Sequence, residues 1–296
     1  MNPAKIGFLI LPSPHERAWR SAVTEAAVAA GFSVAKSATW LKSNGNAVGQ
    51  LLIAGSAAEA RDFGDAHWVV VTTELTTAVN TMSARVPHAL SKGYRLLAEL
   101  LAAQAWLIDK GVVLSHSDEK SLDLPYLGAI TRECAPDESP PVADASPLSL
   151  YCDAAPSVGA SAEWPHDLFV FKNAAKAILS PPHIDLTGRG RVLVYGPRFA
   201  LPPGRWQATA NFTVDTEGSD LFLKFQWGVG EDFHEMQVTL QNSGAYEVTL
   251  DHAWNFVGSA ELRVWAANAH FLGRMEFHGA KVVRLPDLEG ELRCAS

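Results

Sequence analysis

Eight polar or aromatic side chains in the last third of the chain carry the chemistry of polyol recognition: Gln207, Asn211, Lys224, Gln226, Arg263, Trp265, Arg274 and Glu276. All eight fall in segments where apolar and polar residues alternate. In "RWQATANFTVD" the even positions, Trp206 through Val214, are apolar, and the odd positions, Arg205 through Thr213, are polar. Such a period of two puts one set in a core and turns the other outward. Leu221, Leu223, Phe225 and Trp227 sort in the same way against Phe222, Lys224 and Gln226. Leu262 and Val264 sort against Arg263 and Trp265, and Met275 and Phe277 against Arg274, Glu276 and His278. An indole plane suits the C–H face of a pyranose ring, while amides, carboxylates and guanidinium groups suit its hydroxyls. A sheet holds them in place with little ordering cost. The plain alternative is a solvated sheet face with Trp265 packed under a loop.

Other constellations carry less. "GEDFHE" gathers Glu231, Asp232, His234 and Glu235. On a strand His234 and Glu235 point to opposite faces, which leaves the loop carboxylates Glu231 and Asp232 as the only candidates for a Ca²⁺ site. No other cofactor is implied. "HSDE" (116–119) and "DHAWN" (251–255) each set a histidine near a carboxylate, but no G-x-S-x-G turn or helical H-E-x-x-H accompanies them. Near the N-terminus, "LPSPHERAWR" places Ser13, His15, Arg17 and Arg20 where a helix follows a strand, so Arg17 and Arg20 are candidates for an anion. No glycine there lets a phosphate approach the backbone. Ser13 and Glu16 also have the spacing of a capping box, which explains them structurally.

The elements that must position these groups fall into two sets. Over the first 133 residues strand and helix signals alternate. "KIGFLIL" and "HWVVVTT" read as strands buried on both faces, "FSVAKSATW", "QLLIAGS" and "VVLSH" as further strands, and 89–111 as a long Leu- and Ala-rich helix. This predicts an α/β domain over 1–133 with a mainly parallel sheet. Residues 134–166 are rich in proline, serine and alanine and read as a linker, with an extended segment draped over a surface as the alternative. From 167 to 296 the period is two, with strands separated by Pro-Pro, Thr-Gly-Arg-Gly, Pro-Pro-Gly, Glu-Gly-Ser-Asp and Asn-Ser-Gly turns. That pattern predicts an all-β antiparallel sandwich or jelly roll.

The chain has 296 residues, a length that suits two domains, and a net charge of −8, which disfavours nucleic acid or an anionic membrane as main partner. The N-terminus lacks the pattern of a signal peptide, and no apolar run has the length of a bilayer span. The cysteines, Cys134, Cys152 and Cys294, are widely spaced and read as reduced thiols, so a cytoplasmic setting is expected.

The stretch from about Ile178 to Leu285 resembles the carbohydrate-binding-like β-sandwich domains that accompany bacterial surface-polysaccharide proteins. "DLTGRGRVLVYGPRFALPPGRW", "FQWG", "GAYEVTL" and "AELRVW" carry the resemblance. It implies a sandwich that binds glycan, or helps to build it, without catalysing a reaction. The resemblance fixes no ligand-contacting residue. The expected protein is a non-catalytic one whose sandwich meets a glycan or a protein partner, with homo-oligomers possible. Two alternatives stand beside it. One is an enzyme whose α/β half binds a nucleotide-sugar or phosphosugar. The other is an assembly protein that uses the sheet face as an interface.

Overall fold

The structure, a computed structural model, describes residues 4–35, 49–86, 89–133, 142–172 and 183–287. The chain divides into two compact units, Met1–Ala145 and Ser146–Ser296.

The first unit is built on five parallel strands in the order β2-β3-β1-β4-β5. They are β1 (Ala4–Ile10), β2 (Phe32–Ala35), β3 (Gly49–Ala54), β4 (His67–Thr72) and β5 (Val113–His116). Every residue of β1 from Ile6 to Ile10 is buried, as the unbroken apolar run requires for a central parallel strand. Helix α1 (Glu16–Ala29) lays Trp19, Val23 and Ala27, one stripe at four-residue spacing, on Ile6, Phe8, Val69 and Val71. The helices α2 (Ala57–Phe63), α3 (Leu75–Arg85) and α4 (Leu90–Ile108) complete the unit with an antiparallel hairpin, β6 (Ser121–Leu124) and β7 (Gly128–Thr131). That hairpin is not evident in the sequence; its Leu122, Leu124 and Ile130 join the core under α1. Among the described residues no helix is long and apolar enough to cross a membrane.

The capping box does not form. Helix α1 begins two residues later than the capping box implies, with His15 and not Ser13 at its N-cap and no side-chain cap bond. Glu16 instead pairs with Arg20 at 2.9 Å and Arg85 at 2.6 Å. The two guanidinium groups draw the carboxylate away from the Ser13 backbone N–H that a capping box would have it accept from, because charge-assisted interactions are stronger than neutral ones.

The second unit is a sandwich of two antiparallel five-stranded sheets. The first sheet runs β10 (His183–Asp185), β17 (Arg274–Leu285), β12 (Gly204–Asp215), β15 (Gly244–Trp254), with β8 (Ser161–Pro165) also paired to β17. The second runs β14 (Asp232–Leu240), β13 (Leu221–Val229), β16 (Gly258–Ala266), β11 (Arg191–Leu201), β9 (Val170–Phe171). The predicted alternation holds: Trp206, Ala208, Ala210, Phe212 and Val214 are buried against Leu221, Leu223, Phe225 and Trp227 of the facing sheet. The Phe212 and Phe225 rings meet at 5.3 Å, and the Trp227 indole donates to the Trp206 carbonyl at 3.1 Å. Each large aromatic in such a core contributes about 3–5 kcal/mol against truncation.

Much of the expected linker belongs to the sandwich. Residues Ser146–Tyr151 form a 3-10 turn with Leu148, Leu150 and Tyr151 buried, and β8 pairs with β17 from Ser161 to Pro165. Trp164 is fully buried, and its indole donates to the Pro147 carbonyl at 3.1 Å. Proline and serine composition suggested a tether, but the apolar residues between them hold this segment on the sheet. Residues 134–141 lie outside the described residues, as do Cys134 and Cys294; Cys152 is an exposed free thiol.

Candidate functional site

The eight candidate side chains stand on the outer sides of their strands, Gln226 buried there beneath its neighbours, yet they part onto the two opposite outer faces of the sandwich. Gln207, Asn211, Arg274 and Glu276 stand on the first sheet; Lys224, Gln226, Arg263 and Trp265 stand on the second. Alternation tells inside from outside but not which sheet a strand joins.

On the first sheet the charged members are already engaged. Glu276 pairs with His183 at 2.9 Å and Arg274 with Glu217 at 3.5 Å. Gln207 lies opposite Asp251, which holds Arg205 at 2.5 Å, and Asn211 lies opposite Glu247. This face is a run of neighbouring polar pairs.

The second sheet brings its four together. Strand register sets Glu235, Gln226, Arg263 and Tyr195 in one row across four strands, and Gln237, Lys224, Trp265 and Val192 in the next. The Trp265 indole donates to Gln226 Oε1 at 2.8 Å, and the Gln226 amide donates to Glu235. Lys224 donates to the same carboxylate at 3.3 Å while its ammonium lies 5.1 Å from the centre of the Trp265 ring. The Gln226 bond, and then Lys224, hold the Glu235 carboxyl below the usual carboxylate range. Trp265 is therefore fixed in orientation by its own polar edge. Two open depressions flank it. One, of about 290 Å³, is lined by Gly190, Lys224, Gln237 and Ala267. The other, of about 280 Å³, is lined by Lys172, Tyr195, Arg198, Glu261 and Arg263.

The next row supplies the support. It runs Phe233, Gly228, Glu261 and Pro197. A Cβ on Gly228 would lie 2.0 Å from the Asp232 carbonyl oxygen, so only glycine lets β14 approach so closely. The bare backbone there also leaves room for the Arg263 guanidinium to cover the Phe233 ring at 4.1 Å. Glu261 is 4% exposed and divides its oxygens between two arginines, Oε1 to Arg198 at 3.1 Å and Oε2 to Arg263 at 2.7 Å. Arg198 sits on a β-bulge between Pro197 and Phe199 with φ at 67°, the left-handed region. A non-glycine residue pays on the order of 1 kcal/mol for that conformation. The bulge re-aims the Arg198 side chain onto this face.

Glu235, Glu261, Arg198, Tyr195, Lys172 and Phe233 were not among the expected site residues. Glu261 shares the parity of Arg263 and Trp265, which is a signal the sequence contains. Arg198 breaks parity through the bulge, and the sequence gives no sign of it.

The remaining candidates are dispersed. Arg17 is exposed on α1, and Arg20 is committed to Glu16. Asp118 stands between His15 at 3.7 Å and His116 at 3.5 Å. Glu231 is exposed, and Asp232 pairs with His252 at 3.1 Å. His234 turns to the Asp251 carbonyl, away from Glu235. Among the described residues no group of three or more His, Cys, Asp and Glu is placed to hold a metal.

No protein-family model and no curated protein matches the sequence. Among solved structures, the chain is similar to the CBM22-1 xylan-binding domain of Xyn10C from Paenibacillus barcinonensis, at 11% identity and a TM-score of 0.31, over 45% of this chain and 100% of that one. It is also similar to CBM35 from Cellvibrio japonicus Abf62, at 13% identity and a TM-score of 0.28, over 43% of this chain and 94% of that one. A third is TmCBM61, solved in complex with β-1,4-galactotriose, at 11% identity and a TM-score of 0.26, over 39% of this chain and 80% of that one.

Proposed function

We propose that the chain is a non-catalytic glycan-binding protein, and that the outer face of the second sheet is its binding face. One observation carries the reading: a tryptophan fixed at its indole nitrogen by Gln226 stands between two open depressions lined with hydrogen-bonding side chains. A sugar ring stacks on such a plane, and its neighbours in a chain reach the depressions on either side. The groups that would meet hydroxyls, Lys224, Gln237, Arg263 and Arg198, come from four strands whose pairing holds them apart at fixed spacing. A role in surface-polysaccharide production belongs to the same proposal and rests on the sequence resemblance.

Affinity electrophoresis in gels containing neutral and acidic polysaccharides tests it. Trp265→Ala is expected to abolish retardation, a loss of at least tenfold in affinity or about 1.4 kcal/mol. The same substitution leaves Gln226 short of one donor and lowers stability by about 1 kcal/mol. Trp265→Phe keeps a ring plane and is expected to retain part of the binding. Retardation unchanged in Trp265→Ala would remove the proposed face.

A further inference from the structure

Resting on that reading, we infer that the glycan is acidic, with a carboxylate-bearing sugar seated in the depression between Trp265 and Arg198. Three cations, Lys172, Arg198 and Arg263, line this depression against a single carboxylate, Glu261. Both oxygens of Glu261 are already taken by the two arginines, so it cannot neutralise Lys172 as well. The excess is positive on a chain whose net charge is −8. A neutral sugar needs donors and acceptors but not a surplus of charge, whereas an anion gains from every cation brought near it.

The bonding pattern leaves the right atoms over. Arg198 gives only Nε to Glu261, and among the described residues its two Nη groups make no hydrogen bond. Together those two Nη groups can give a planar carboxylate two parallel N–H···O bonds. Lys172 and Arg198 both lie against the Tyr195 ring, at 5.9 and 5.6 Å, so one aromatic ring holds two cations in the lining of the depression. Arg198 also occupies a left-handed backbone position that glycine would fill without strain. An arginine held there against its backbone preference, braced by a buried glutamate, is a placement that favours a ligand over stability.

The test uses the full chain and three uronic acid polymers, polygalacturonate, polyglucuronate and alginate, each beside its carboxyl-reduced form, with dextran sulfate as a further arm. At least one uronate is expected to bind tenfold or more tightly than its reduced form, and to weaken as salt is raised. Arg198→Gly is expected to cut uronate affinity at least fivefold more than it cuts affinity for the reduced polymer, whose hydroxyls Arg198 also meets, and to change the melting temperature little, the relieved backbone strain offsetting part of the bond that Glu261 loses. Equal binding of acidic and reduced forms, or a uronate affinity indifferent to Arg198→Gly, overturns the acidic ligand while the glycan-binding face stands. Dextran sulfate bound as tightly as the best uronate, with the same dependence on Arg198, overturns the carboxylate. Failure of every polymer to bind overturns the binding face itself.

Discussion

At the scale of single residues, the face depends on two carboxylates with different tasks. Glu261 is buried and braces two arginines, Arg198 half-exposed and Arg263 about a quarter exposed. Glu261→Leu strands two cations, but both can recover water, so the expected loss is about 1–2 kcal/mol rather than the larger cost of a fully buried pair. Thermal unfolding would read this as a drop of a few degrees, while glycan affinity falls much further because Arg198 and Arg263 lose their orientation. Glu235 lies at the surface, and its carboxyl is held below the ordinary range by Gln226 and Lys224. A group whose folded pKa is depressed contributes its support above the unfolded value and loses it as pH falls through the folded one. The Trp265–Gln226–Glu235 chain is therefore expected to stay intact from about pH 8 to about pH 5 and to loosen only below the ordinary carboxylate range. Following the Trp265 indole N–H resonance against pH checks this, with Glu235→Gln as the variant that removes the transition. At this scale the sequence is informative: the inward or outward sense of Trp265, Arg263, Lys224 and Gln226 follows from alternation alone. Arg198 does not, because a bulge adds a residue and cancels the parity on which the inference rests.

At the scale of elements, β13 and β14 close up at Gly228, where no side chain stands between them and the Arg263 guanidinium covers the Phe233 ring. Gly228→Ala would drive a methyl into the Asp232 carbonyl, a backbone atom that can move only if the β13–β14 turn moves. The expected result is a loss of about 1–3 kcal/mol, with weakened binding, measured by chemical denaturation and affinity electrophoresis. Strand positions were largely readable, since Val- and Phe-rich runs of period two lie between clear turn residues. Strand partners were not. Gln207 and Asn211 share their outward sense with Lys224 and Gln226, yet β12 pairs with β15 and β17 while β13 pairs with β14 and β16. Long-range pairing, invisible to local pattern, decides which outward residues become neighbours. The hairpin of β6 and β7 escaped notice for a related reason: four-residue strands give too few alternations to stand out.

At the scale of the whole molecule, the sandwich begins earlier than its composition suggests. Trp164 is a fully buried core residue lying before residue 167, and β8 supplies an edge strand to β17. A fragment of residues 146–287 is expected to fold and to bind glycan like the full chain, whereas 167–287 is expected to aggregate or melt far lower, by circular dichroism. Equal stability of the two would show β8 to be dispensable. The account as a whole stands on the second sheet's outer face as the place where sugar lands. Its most direct measurement is a titration of ¹⁵N-labelled protein with acidic and neutral oligosaccharides, following the tryptophan indole resonances. The Trp265 signal, assigned through Trp265→Phe, is predicted to shift saturably while the core signals of Trp206 and Trp227 stay fixed. A still Trp265 signal in the presence of a glycan that binds, or shifts confined to residues around Gln207 and Asn211, would contradict it.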